Sequence, residues 1–192
     1  LTANAPETKD NNFTWKDYQD RNNNELLAIF GNFVNRTLVL THKYFEGKVP
    51  AMINLNEKDN AAIEEMNQYP DKIAHLLDTY KFREALSELM NLARLGNRYL
   101  TENEPWKQFK TDPERVKTVL AVSLQIVAKL AILSEPFLPF SAKKLQAMIG
   151  LEVSGWNQAK ETVLLNEESQ IGEVELLFTK VEDETVAAQI KK

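Results

Sequence analysis

The sequence predicts an all-α protein, and three observations carry that reading. Six Gly and seven Pro are scattered over 192 residues, too few for a turn-rich β fold. Leu, Ala, Glu and Lys, all good helix formers, are among the commonest residues. Apolar residues recur at helical spacing in long stretches that are bounded by capping residues. At 43% hydrophobic, the chain can bury one substantial core.

The first helix is expected over residues 14–45. The Thr14 hydroxyl can cap it with Asp17 three residues on, and Gly47 and Pro50 follow its end. Leu26, Leu27, Phe30, Phe33, Val34, Leu38, Leu40, Tyr44 and Phe45 form one broad apolar arc along it, with Asn32, Arg36 and Lys43 on the other side. A second helix opens at Asn56, with Asp59 in its first turn, and runs to about Tyr80; Pro70 is expected to kink or divide it. A third covers about 82–100, with Leu86, Leu89, Met90, Ala93 and Tyr99 inward. A fourth begins at Asp112-Pro113, an N-cap followed by Pro at the first helical position. Its stretch 119–133 is apolar almost all round, as suits the central helix of a bundle, and it ends by Pro136. A short helix over 141–149 closes the bundle before Gly150. Beyond it, 162–165 and 174–178 are short apolar runs of ambiguous type, and 182–192 reads as disordered or as the start of a linker.

The chemistry on offer is narrow. With no Cys, there can be no disulfide, Cys nucleophile or Cys-ligated metal. No Gly-rich phosphate loop occurs, and only His42 and His75 supply imidazoles, both read as structural or solvated. The adjacent acids Glu64-Glu65 and Glu167-Glu168 read as solvated charge. No apolar run approaches the roughly 20 residues of a membrane span, and the first residues lack the pattern of a signal peptide, so a soluble, cytoplasmic protein is expected. The start without Met reads as the middle of a longer chain. A net charge of −5 argues against broad polyanion binding, yet residues 151–192 carry nine acids and four bases, which leaves 1–150 neutral. RNA recognition by a neutral body would rest on a few placed contacts.

Two features could supply them. Asn32 and Arg36 lie four apart on one helix face; Asn offers a donor and an acceptor to a base edge, and Arg can contact phosphate or stack through its guanidinium. Trp106 follows Pro105 just beyond the third helix, where a surface indole could stack on a base. Gly31 and Gly96 fall inside helices, which suggests close approach of another backbone and would make Asn32 and Asn97 neighbours. Trp15 and Trp156 read as structural.

Taken in order, these residues resemble the C-terminal anticodon-binding domain of bacterial methionyl-tRNA synthetases, a class I aminoacyl-tRNA synthetase family. The carriers are Phe13-Thr14-Trp15-Lys16-Asp17-Tyr18, Arg21-Asn22-Asn23-Asn24-Glu25-Leu26, Gly31-Asn32-Phe33-Val34-Asn35-Arg36, Lys43-Tyr44-Phe45-Glu46-Gly47, Ala93-Arg94-Leu95-Gly96-Asn97-Arg98-Tyr99 and Asn103-Glu104-Pro105-Trp106. The resemblance implies an anticodon-binding helix bundle over 14–150. Residues 1–13 would end a connector from the catalytic domain, and 151–192 would form a return segment and linker that packs towards that domain. It implies Asn32, Arg36 and Trp106 as readers of a CAU anticodon, with Asn35, Arg98 and Pro105 as secondary contacts. The partners would be the anticodon stem-loop of tRNA(Met) and the catalytic domain of the same polypeptide, with neither DNA nor membrane. The HIGH-type and KMSKS motifs are missing, so this segment should not ligate methionine to tRNA. ATP, and a candidate zinc ion, would belong to the catalytic part. The alternatives are the anticodon domain of another class I synthetase and a helical protein-interaction scaffold in which Trp106 anchors a partner.

Overall fold

The most apolar stretch of the chain becomes the axis of the structure. In the computed structural model, which describes residues 2–7, 10 and 12–191, the central helix α6 (Pro113–Leu133) is buried along nearly its whole length. It starts as its sequence dictates: the Asp112 carboxylate accepts from the Arg115 amide at 3.0 Å, with Pro113 at the first helical position. Around it pack α2 (Asn32–Phe45), α3 (Glu57–Asp78), α4 (Phe82–Asn103), α5 (Pro105–Gln108) and α7 (Pro139–Ile149). No β-strand forms among the described residues, and the fold is all-α.

Local capping signals are realised. Thr14 accepts from the Asp17 amide at 3.1 Å and starts α1 (Trp15–Arg21). Asn56 and Asp59 form a reciprocal capping box on α3, and Gly150 takes the left-handed conformation that ends α7.

Three expectations are corrected. The first helix is not uniformly α: a π-helical segment, Asn22–Gly31, separates α1 from α2. Its last residue is Gly31, where a Cβ would lie 3.2 Å from the carbonyl oxygen of Leu26, five residues back. The wider turn brings that carbonyl close, and glycine leaves room for it. Pro70 does not divide α3, which continues unbroken to Asp78. Pro70 is buried, and its own carbonyl accepts from the Trp156 indole N–H at 3.2 Å, so packing holds a turn that local propensity disfavours. Within 182–191, the residues read as disorder or linker form α8 (Asp183–Ile190), which covers α1 and buries Val186. Lys192 lies outside the described residues.

The tail runs back along the first helix from its C-terminal to its N-terminal end. The Val49 amide donates to Ser169 O at 2.9 Å, and the Ile171 amide to Gly47 O at 2.8 Å. His42 Nε2 lies 2.8 Å from Gly172 O. Further on, Phe178 packs edge-on against Phe30, and Asn22, Asn23 and Gln19 bond the chain at 179–183. The apolar run 174–178 is therefore neither strand nor free chain. Two buried polar residues of α6 hold the tail's start: Gln125 bonds Leu164 and Leu165, while Lys129 donates to Ala159 O and Glu161 O.

Candidate nucleic-acid interface

Three aromatic contacts zip the short helix α5 to α2. Phe109, at the C-terminal end of α5, stacks on Tyr44 with centroids 4.0 Å apart and planes at 12°, and meets Phe45 edge-on at 6.1 Å. One turn earlier in α5, Trp106 lies under the guanidinium of Arg36, whose Cζ is 4.7 Å from the ring centroid. A cation over an indole at this distance is attracted by about 0.5–2 kcal/mol, depending on its exposure. Residues 70 apart in sequence are thus in contact, and the indole remains 37% exposed.

The turn that delivers Trp106 is set from inside the bundle. α4 ends at Asn103, Glu104 takes the left-handed conformation at φ 39°, and buried Pro105 starts α5. Asn103 is itself buried; it accepts from Arg115 Nη2 at 2.6 Å and donates to Tyr99 O at 2.8 Å. Arg115 also makes two bonds to the fully buried Asp59 carboxylate, at 2.5 and 2.7 Å, and the Tyr99 hydroxyl donates to the same carboxylate at 2.5 Å. Burial alone would raise the Asp59 carboxyl, but the bonds from Arg115 and Tyr99 outweigh it and hold it below the ordinary aspartate value. Neither Asp59 nor Arg115 was identifiable as a support of this turn from sequence. Asp59 was readable only as a cap, and its partners stand 40 and 56 residues away.

Of the sequence-predicted residues, Asn32 is exposed on α2 one turn before Arg36, and Asn35 is half-buried between them. Asn32 makes no side-chain hydrogen bond among the described residues, and Arg36 has no carboxylate partner there. Arg98 is not brought to this group: its guanidinium pairs with Glu65 on α3 at 2.6 Å. Lys107, next to Trp106, pairs with Glu104 at 2.7 Å. His75 is exposed on α3.

Both glycine readings change. Gly96 is met by a side chain and not by a backbone: a Cβ there would fall 2.3–2.5 Å from the Phe33 ring. Gly31 meets the Phe178 ring as well as its own helix. Asn97 reaches the junction ahead of Asn32, where its amide donates to Ile29 O at 2.8 Å. Trp156 is anchored on Pro70, whereas Trp15 sits in an exposed edge-on cluster with Phe13 and Tyr18. A cavity of about 510 Å³ lies elsewhere, between the first residues, α1 and α4, and includes none of Asn32, Arg36 or Trp106.

Against known proteins, residues 49–192 match the family model described as the anticodon binding domain of methionyl tRNA ligase, and residues 1–38 match that of class I (M) tRNA synthetases. Asn32 and Arg36 fall in the second match and Trp106 in the first. The whole chain is 57% identical to a methionine–tRNA ligase of Phocaeicola vulgatus over 192 residues, and 56% identical to one of Cytophaga hutchinsonii. It spans 28% of the length of these curated relatives. Among solved structures, the apo form of Mycobacterium tuberculosis methionyl-tRNA synthetase superposes with a TM-score of 0.85 at 22% identity, over 94% of this chain and 37% of the other.

Proposed function

The chain belongs to the family of anticodon-binding domains of methionyl-tRNA ligases, and from that premise we propose that it reads the CAU anticodon loop of tRNA(Met) with Asn32, Arg36 and Trp106. The observation that carries this reading is the contact of Arg36 with Trp106. It joins the two sequence features that could address an unpaired base, one by hydrogen bonds and one by stacking, in a single surface group in which Asn32 and Trp106 are exposed and Arg36 is half-buried. Asn32 presents an uncommitted amide one helical turn away, suited to the Watson–Crick edge of a base. Asn35 and Pro105 are secondary contacts by position, and Arg98 would have to leave Glu65 to take part.

In this reading residues 14–150 form the recognition bundle, 1–13 lead in from the catalytic part, and 151–192 return along the bundle. Joining methionine to tRNA with ATP, and any zinc that part holds, belongs to the remainder of a cytoplasmic ligase that this chain does not span. A neutral bundle with an acidic tail suits recognition by a few contacts at the loop.

Binding of the 192-residue chain to two anticodon stem-loops tests this, one with CAU and one with its cytosine changed. The parent should prefer the first by roughly tenfold, about 1.4 kcal/mol. An Asn32→Ala, Arg36→Ala variant of unchanged helical content should lose that preference. Equal binding of both loops by the parent chain would overturn the proposal.

A further inference from the structure

The π-helical segment ends one residue before Asn32. A π turn carries one residue more than an α turn, and an α-helix advances about 100° per residue. Relaxing the segment to α geometry would therefore turn the following helix by about 100° for each residue re-registered, enough to carry Arg36 off Trp106 and to re-aim Asn32. Long π stretches are rare, so this one needs support from outside its own ladder.

The tail supplies that support at both ends. At the start, Asn22 donates to Thr179 O at 2.9 Å, and Asn23 exchanges two bonds with Val181, its amide donating to the carbonyl and its oxygen accepting from the N–H, each at 2.9 Å. One turn earlier, Gln19 donates to Val181 O and to Asp183. At the end, Phe178 meets Phe30 edge-on, with centroids 5.7 Å apart, and lies on the backbone of Gly31, where a Cβ would be 3.2 Å from its Cδ2. The tail is anchored independently before it arrives: the Gly172 amide donates to Met148 O at 2.7 Å, and Lys144 to Leu176 O at 3.1 Å, both on α7. A fixed strap thus crosses from the bundle core to the one irregular segment of the recognition helix.

We propose that segment 178–183 is a brace that sets the rotation of α2, with Phe178 a positioning residue for the base contacts of Asn32 and Arg36. The inference rests on the reading of that pair as base contacts. A tail that served only to close the core would have no need to grip Asn22 and Asn23 by their side chains.

The test compares Phe178→Ala with Leu165→Ala in the 192-residue chain. Leu165 is a buried tail residue held by Gln125, outside the set that grips the π segment. For each variant, urea stability, binding to the CAU and altered stem-loops, and amide hydrogen exchange over residues 22–32 are measured. Phe178→Ala should cut discrimination at least fivefold and speed exchange over 22–32, whereas Leu165→Ala should lower stability and leave discrimination intact. In combination with Asn32→Ala, Phe178→Ala should remove no further discrimination. Parent-like discrimination in Phe178→Ala, or an equal loss in Leu165→Ala, would overturn the brace and leave the base-reading proposal standing. If the parent and Asn32→Ala treat the two loops alike, base reading fails first and the brace falls with it.

Discussion

Replacing Lys129 by Met should abolish a rise in stability that the parent chain gains between pH 7 and pH 10. Lys129 sits well inside α6 with no exposed surface, and its Nζ donates to Ala159 O at 2.6 Å and Glu161 O at 2.7 Å, without a carboxylate in salt-bridge range among the described residues. Burial disfavours the ammonium and pushes its pKa down to about 8 from 10.5, against a weaker pull from the Glu161 charge. The folded value lies below the unfolded one, so between pH 8 and 10.5 the unfolded chain binds more protons and stability increases with pH. The neutral amine keeps two N–H groups for its two carbonyls, so deprotonation relieves the desolvation without giving up the bonds. At about 1.4 kcal/mol per pKa unit, the full window is worth about 3 kcal/mol, most of it realised by pH 10. Urea unfolding of parent and Lys129→Met at pH 7, 8.5 and 10 gives the stability difference, parent minus variant, which should grow by roughly 2–3 kcal/mol across the series. Taking the difference removes the opposing effect of Tyr69 and Tyr99, whose phenols burial raises and which lower stability near and above pH 10 in both proteins. A difference that stays flat would mean that the ammonium is hydrated or paired in the folded chain, and the argument from its burial would be wrong.

Asp59→Asn should cost about 3–5 kcal/mol, since it leaves Arg115 without its buried partner. It should also flatten the acid limb of stability: the parent's contribution is complete above the ordinary aspartate pKa and is lost as pH falls through the lower folded value, so denaturation at pH 6 and pH 3 should separate the two proteins. Gly96→Ala would ordinarily gain about 1 kcal/mol of helix propensity. Here the new methyl meets the Phe33 ring, and a net loss of about 1–3 kcal/mol is expected in thermal or urea unfolding; a gain would mean that the ring yields freely. Trp106→Ala should weaken binding of the CAU stem-loop by about 1–3 kcal/mol, with Trp106→Phe recovering part of it; affinity unchanged in a folded variant would remove the indole from the site.

What was legible in the sequence was what is local. Thr14 with Asp17, Asn56 with Asp59, Asp112-Pro113 and Gly150 each encode a helix end within four residues, and each end forms where they indicate. The apolar run of α6 declared the central helix, because a helix surrounded on all sides has no polar face to preserve. The errors are all non-local. Pro70 reads as a break because propensity sees only the lost N–H, whereas packing of α3 on α4 and the Trp156 bond to Pro70 O keep the helix continuous. The π segment is met by Asn97 and by Phe178, both distant in sequence, and no side-chain period announces it. The last helix is held by partners about 160 residues away, which charge and composition cannot report.

The cations around the proposed site divide by whether a carboxylate has already claimed them. Arg98 is paired with Glu65, and Lys107 with Glu104. Arg36 is held by an aromatic face instead of an acid. That difference matters for RNA: a salt bridge must be broken before its Arg can serve a base, while a guanidinium stacked on an indole keeps all its N–H donors at its edge, free for a ligand. The stack also restrains Arg36 before any base arrives. Ordering such a side chain costs up to about 2 kcal/mol of rotamer freedom, and that loss falls on folding instead of on binding. Asn32, one turn away and without a partner among the described residues, has its donor and acceptor open there. A neutral bundle has no broad basic field with which to hold RNA, so a reader in which the Arg is pre-placed, the Asn uncommitted and the indole partly exposed is the arrangement through which a few contacts could still discriminate one base.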